Sequence, residues 1–260
     1  MPFAPVNGQR LFFEDGGGDK PVVVFSHGNL MNRWMWAPQI EALRTEFRCL
    51  VWDERLHGLT EDDHGLYSYW DSATDLLGLM DHLDIDRAAL VGHSQGGFLS
   101  LRAALLAPER TTALVLIDTS GAAWPPEALA QMQGISEGFR TGGPDAVAAG
   151  LLDMLLSDPE IHDDWLRSWR QQPNDRLADA VKVLMGVDDI AARLGEISQP
   201  VLVVHGEADE PVPVQLGRML RDALPHAVDL VVVPGAGHTP SLTHADQVNP
   251  ALAAFLRQYA

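Results

Sequence analysis

A single cysteine, Cys49, stands among 260 residues. No disulfide can form within the chain, and no paired-thiol metal site is available. Cys49 lies inside the apolar run Cys49-Leu50-Val51-Trp52, where a thiol is expected to be buried and inert. No H-E-x-x-H pattern offers zinc ligands, so no metal and no other cofactor is expected. Gly16-Gly17-Gly18 has no phosphate-loop residues around it and reads as a turn. No run reaches the ~18 to 20 apolar residues of a membrane span. Met1-Pro2-Phe3-Ala4-Pro5 lacks the basic-then-apolar order of a signal peptide, and a cytoplasmic location is expected. Positive charge is scarce: 18 Lys and Arg face 36 Asp and Glu, a net charge of −18. That balance disfavours nucleic acid and anionic membranes as partners. A small-molecule substrate and a monomer or homodimer are expected instead.

What is present is apolar and periodic. Hydrophobic residues make up 46% of the chain, enough for one large core. The stretches at 21–26, 48–52, 88–91, 112–117, 201–204 and 228–233 read as strands, 21–26 as a continuous apolar run covered on both faces and 48–52 as buried, with 10–14 as an edge strand. Helix-period stretches at 34–43, 68–83, 98–107, 214–223 and 244–259 separate them. That alternation predicts an α/β fold, a mostly parallel, doubly wound sheet with helices on both faces. Between the strands at 112–117 and 201–204 only helical segments are visible, near 126–139, 144–156, 159–170 and 176–194, punctuated by Pro and Gly. Residues 121–198 are therefore expected to form a helical insertion, and 1–120 with 199–260 the core that carries it.

Gly92-His93-Ser94-Gln95-Gly96 is G-x-S-x-G placed between a strand and a helix. The chain must turn sharply there to lift the serine above the strand ends, and the glycines allow strand and helix to approach. A serine hydroxyl is a poor nucleophile at neutral pH and needs a base, itself oriented by a third group. His238, in Gly235-Ala236-Gly237-His238, and Asp209, in His205-Gly206-Glu207-Ala208-Asp209, follow strands at the end where open parallel sheets place ligands. Asp118, Glu207 and Glu210 are the competing acids. Of the other histidines, His27 and His93 sit beside glycines in motif turns, and His205 ends a strand. His57, His64, His82, His162, His226 and His244 read as loop or surface residues.

On these motifs the chain resembles the α/β-hydrolases of Ser-His-Asp type with a helical cap inserted after the sixth strand. The resemblance is to the small carboxylesterases and 3-oxoadipate enol-lactonases, over nearly the whole length. It implies Ser94 as nucleophile, His238 as base and Asp209 as acid. It also implies an oxyanion hole from the backbone N–H groups of Gln95 and Asn29, with Leu30 the alternative to Asn29. Asp53-Glu54-Arg55-Leu56-His57-Gly58-Leu59-Thr60 resembles the family's D-x-R-G-x-G-x-S loop, with Leu56 where glycine is usual and Thr60 where serine is usual. Asp53 and Arg55 are expected to hydrogen-bond that turn. Leu30, Trp124, Phe139, Trp165 and Trp169 are candidates to line an apolar pocket over Ser94. The implied function is a cofactor-independent serine hydrolase of a carboxylic ester or lactone. The alternatives are an enol-lactonase, which would need a cation such as Arg140, Arg167 or Arg170, a C–C bond hydrolase, and a ligand receptor on the same fold.

Overall fold

Runs of valine and leucine set the sheet. In the computed structural model, which describes residues 2–63 and 65–260 (His64 lies outside them), eight strands form one sheet. They are β1 (Phe3–Val6), β2 (Gln9–Asp15), β3 (Val22–Ser26), β4 (Arg48–Trp52), β5 (Ala88–His93), β6 (Thr111–Ile117), β7 (Val201–Gly206) and β8 (Ala227–Val233). The order is β1-β2-β4-β3-β5-β6-β7-β8, with β1, β2 and β4 paired antiparallel and the rest parallel. β5 and β7 are buried at every residue, as expected where helices cover both faces. β1 is a further edge strand that the apolar pattern does not reveal. It has four residues, and its Pro5 has no N–H to give a ladder.

Between the early strands run α1 (Ala37–Leu43), α2 (Tyr69–His82) and α3 (Gln95–Leu106). α2 begins at a capping box, in which Ser68 Oγ accepts from the N–H of Asp71 and the Asp71 carboxylate accepts from the N–H of Ser68.

Between β6 and β7 the chain is helix and loop only: α4 (Pro126–Gly142), α5 (Pro144–Leu155), α6 (His162–Arg170) and α7 (Asn174–Met185), with short 3₁₀ turns. Proline at or just before the first turn of α4, α5 and α7 starts each helix where a missing N–H costs nothing. The alternation then resumes around β7 and β8 with α8 (Val214–Ala223), α9 (Pro240–Thr243) and α10 (Ala245–Tyr259). Cross-strand register places Ser26 beside Gly92, His93 beside Ile117, and Ile117 beside Val204. The C-terminal ends of four adjacent strands are thus level, and the loops they feed converge on one edge. Among the described residues, no helix is long and apolar enough to cross a membrane.

Candidate active site

β5 ends on Gly92-His93 and α3 starts at Gln95, so Ser94 is the turn between them. Its backbone sits at φ 51°, ψ −115°, an angle pair costly for a residue with a side chain. A Cβ on Gly92 would lie 2.2 Å from the Gly96 carbonyl oxygen, and one on Gly96 would lie 2.0 Å from that of Ser26. Both glycines are demanded by close approach. The strained turn is held from outside: Ser94 N–H donates to Ile117 O at 2.9 Å, and Thr119 Oγ1 donates to Ser94 O at 2.8 Å. Leu30, Leu56 and Asp118 also have positive φ, so strained non-glycine residues gather at this edge.

The structure brings Ser94, His238 and Asp209 into one hydrogen-bonded chain. Ser94 Oγ lies 3.1 Å from His238 Nε2, and His238 Nδ1 lies 2.9 and 3.0 Å from the two Asp209 oxygens. All three are buried. Burial opposes ionisation of Asp209, but His238, His205 and further hydrogen bonds outweigh it and hold the carboxyl far below the usual carboxylate range. Val212 N–H donates to Asp209 Oδ1, and His205 Nε2, which donates to Val212 O, stands 3.4 Å from Oδ2. The His238 loop is fixed by His93, whose Nε2 meets His238 O at 2.5 Å; burial pushes the His93 ring down to about 3, so it stays neutral. This arrangement can deprotonate the serine hydroxyl as it attacks a carbonyl.

Asp118 is a neighbour of this chain with its own orientation. Its Oδ1 accepts from Gly206 N–H at 2.8 Å, while burial, and then the Asp209 charge beside it, raise its carboxyl well above the ordinary value of 3.8. Asp118, Asp209 and His238 are the one group among the described residues with ligand atoms close enough to hold a metal, within 4.8 Å of one another. Both ring nitrogens of His238 are already engaged, by Asp209 and Ser94. The raised Asp118 carboxyl has a consequence for stability. Folding takes up a proton there, and that contribution is full below about pH 4 and lost as pH rises through the folded value. Asp118→Asn keeps a donor and removes the ionisation. Its Tm relative to wild type is expected to climb as pH rises above about 4; a difference that stays flat with pH would refute the raised carboxyl.

Asn29 follows β3 and Gln95 opens α3, and the two meet beside Ser94. Leu30 N–H is committed to His57 Nε2 at 3.1 Å, which leaves the Asn29 N–H as the candidate partner of Gln95 N–H in an oxyanion hole. The two side chains are tied together, Asn29 Nδ2 to Gln95 Oε1 at 3.0 Å, and Tyr69 Oη donates to the same oxygen at 3.2 Å. The inserted helices reach this loop directly. Asn29 Nδ2 also donates to Ala180 O on α7, and Trp169 Nε1 on α6 donates to Leu30 O at 2.7 Å.

His57 lies in a loop but not at the surface: it is buried, and its Nδ1 meets Arg55 O at 2.7 Å while Nε2 accepts from Leu30 N–H. Burial holds both His57 and its neighbour His27 below the usual histidine range, as suits rings used to accept backbone N–H bonds. His27 does this for Glu54 N–H at 3.0 Å. Nothing local in the sequence marks Glu54; its carboxyl is fully buried beside Gln95 and Ser72, and burial raises it well above the ordinary range. Leu56 takes the glycine-like φ of 63°, held by Asp62, which accepts Leu56 N–H and is paired with Arg176 from α7. Asp53 binds the turn through Leu59 N–H and pairs with Arg33. The Arg55 guanidinium does not bind the turn; it reaches Asp75 on α2 at 2.5 and 2.8 Å.

A cavity of about 60 Å³ lies over Ser94 and His238. Leu30 and Trp124 line it, together with Met132, Leu151, Met154 and Val181. Phe139, Trp165 and Trp169 do not. Phe139 and Trp169 pack edge to face inside the inserted helices, with centroids 5.9 Å apart, and Trp165 lines an outer groove with Trp34 and Leu242. Large aromatics on these helices serve packing among the helices themselves, a role that helical periodicity cannot separate from cavity lining. Cys49 is buried away from the site, and burial pushes its thiol up to about 11.

Comparison with known proteins gives the family of the fold. Residues 21–245 match the family described as the alpha/beta hydrolase fold. A thermophilic esterase from Thermogutta terrifontis superposes with a TM-score of 0.88 at 29% identity, covering 99% of this chain and 97% of that one. The enol-lactonase from Burkholderia xenovorans gives 0.88 at 28%, covering 98% and 100%. The dihydrolipoyllysine-residue acetyltransferase component of the acetoin cleaving system of Pseudomonas putida is 31% identical, over 98% of this chain and 69% of that protein.

Proposed function

The chain belongs to the alpha/beta hydrolase fold family, and from that premise we propose that it is a serine hydrolase cleaving a carboxylic ester or small neutral lactone through an acyl-enzyme. The observation that carries this reading is the unbroken chain from Ser94 Oγ through His238 to Asp209, at 3.1 and 2.9 Å. Ser94 Oγ attacks the substrate carbonyl while His238 Nε2 takes its proton. Asp209 holds the Nδ1–H tautomer and stabilises the imidazolium. The N–H groups of Asn29 and Gln95 hold the oxyanion. His238 then protonates the leaving alcohol. Water, deprotonated by the same nitrogen, releases the acid and restores Ser94. Residues 121–198 act as a cap that supplies one wall of the cavity and keeps bulk water from the acyl-enzyme.

The cavity favours an uncharged acyl group. Its lining is apolar apart from Asn29 and the reacting pair Ser94 and His238. An enol-lactone bearing carboxylates would need a cation there, and the arginines that could serve are engaged elsewhere. Arg140 pairs with Asp179, Arg167 with Asp164, and Arg170 with Asp145, in contacts at the surface of the inserted helices. The test is hydrolysis of p-nitrophenyl acetate and butyrate, with a fluorophosphonate probe mapped by peptide mass. Release of nitrophenolate and a single adduct on the Ser94 peptide are expected. No release and no adduct would sink the hydrolase reading.

A further inference from the structure

The cavity over Ser94 is the smaller of two adjoining spaces, at about 60 Å³. Directly outside it, between α4 and α5, lies a groove of about 420 Å³. Three residues line both spaces: Ile135, Leu151 and Met154. A single layer of side chains therefore separates the reaction site from an external trough.

The helix pair is built to open there. α4 and α5 form a hairpin about Gly143. Near the turn they touch: a Cβ on Gly138 would lie 2.4 Å from Val147 Cγ1. One to two turns further on they have parted, and a Cβ on Gly134 or Gly150 would meet nothing within 4 Å. The two helices make a wedge, closed at Gly138 and Val147 and open at Gly134 and Gly150. Met154 stands in its floor. An unbranched thioether side chain with three rotatable bonds moves aside at low cost.

We infer that the α4–α5 wedge is an acyl-chain subsite, entered past Met154, which takes the distal methylenes of a linear, uncharged acyl group whose carbonyl lies at Ser94. This rests on the esterase reading above and names its substrate class as medium-chain aliphatic esters. Continuity with the site cavity is what commits the groove to the acyl chain. Charge selects against a carboxylate at the chain end, because Met154 also borders a depression that carries Asp153 and Glu210.

The experiment compares p-nitrophenyl octanoate with p-nitrophenyl acetate. Gly150→Phe and Gly134→Phe, which fill the trough from outside, are each expected to lower the octanoate-to-acetate ratio of kcat/KM about tenfold. Met154→Ala, which removes the floor, is expected to raise it about tenfold, within the range a hydrophobic pocket discriminates. A second readout needs no turnover. In Ser94→Ala protein, ethyl octanoate raises Tm, and adding Gly150→Phe removes that shift. Acetate hydrolysis with an octanoate ratio and Tm shift indifferent to all three substitutions would overturn the subsite and leave the esterase intact. A Tm shift that responds to Gly150→Phe without hydrolysis of either ester would uphold the subsite and overturn the esterase.

Discussion

Asp209→Asn is expected to lower kcat on p-nitrophenyl butyrate about 10⁴-fold with little change in KM, because an amide presents the wrong partner to His238 Nδ1 and releases the ring from its working tautomer. The neighbouring carboxyl does not rescue it. Asp118 Oδ1 accepts from Gly206 N–H, the His238 Nδ1 bond runs to the Asp209 oxygens, and burial beside the Asp209 charge disfavours ionisation of Asp118. Asp118→Asn is accordingly expected to change kcat less than about threefold, since the triad geometry survives. Measuring both variants beside wild type, with Tm as a check on folding, separates the two acids. Comparable losses in both would mean that the orienting charge is shared between them.

Gly96→Ala is expected to lower kcat/KM at least a hundredfold and to destabilise the fold by about 3 kcal/mol, at the upper end of what overpacking costs. The added methyl would lie 2.0 Å from Ser26 O, 2.5 Å from the Ser26 carbonyl carbon and 2.9 Å from His27 O. All three are main-chain atoms, so no rotamer change relieves the clash. Either α3 moves away from β3, carrying Ser94 with it, or β3 moves and displaces Asn29. Both routes separate Ser94 and Gln95 on the one side from Asn29 on the other. Steady-state kinetics and thermal melts test this together. Wild-type kcat/KM in the Gly96→Ala variant would mean that helix and strand do not pack so closely. Gly134→Ala, where the helix has open space, gives the comparison.

The sheet and the site were legible in the sequence for one physical reason. Strands buried on both faces leave no room for polar residues, so β3 to β7 stand out as unbroken apolar runs. The turns after β5 and β7 bring Ser94 and Asp209 together, and His238 joins them from the loop after β8, an edge strand that is only partly buried. What was illegible depends on tertiary direction. His57 is a polar residue in a loop, and nothing local says that its ring is buried to accept Leu30 N–H. The Arg55 side chain could serve its own turn or reach a helix, and only packing brings Asp75 beneath it. Phe139 and Trp169 lie on amphipathic helices with the right composition for a pocket, but which neighbour each face meets depends on how four helices stack. Leu56 departs from the family's glycine, and the sequence shows the departure but not how it is tolerated. Asp62 and Arg176 brace the left-handed turn.

The contacts from α6 and α7 to the loop after β3 bear on how such an enzyme can diversify. Trp169, Ala180 and Arg176 hold Leu30, Asn29 and the His57 turn from above. The inserted segment is therefore not an exchangeable module. A chimera that grafts a relative's cap onto this core would inherit a new pocket and lose half the bracing of its oxyanion loop at one stroke. α5 is tied down at its end, where Leu155 O accepts from Thr239 Oγ1 at 2.9 Å beside His238, so selectivity is more freely varied along α4 and the earlier turns of α5.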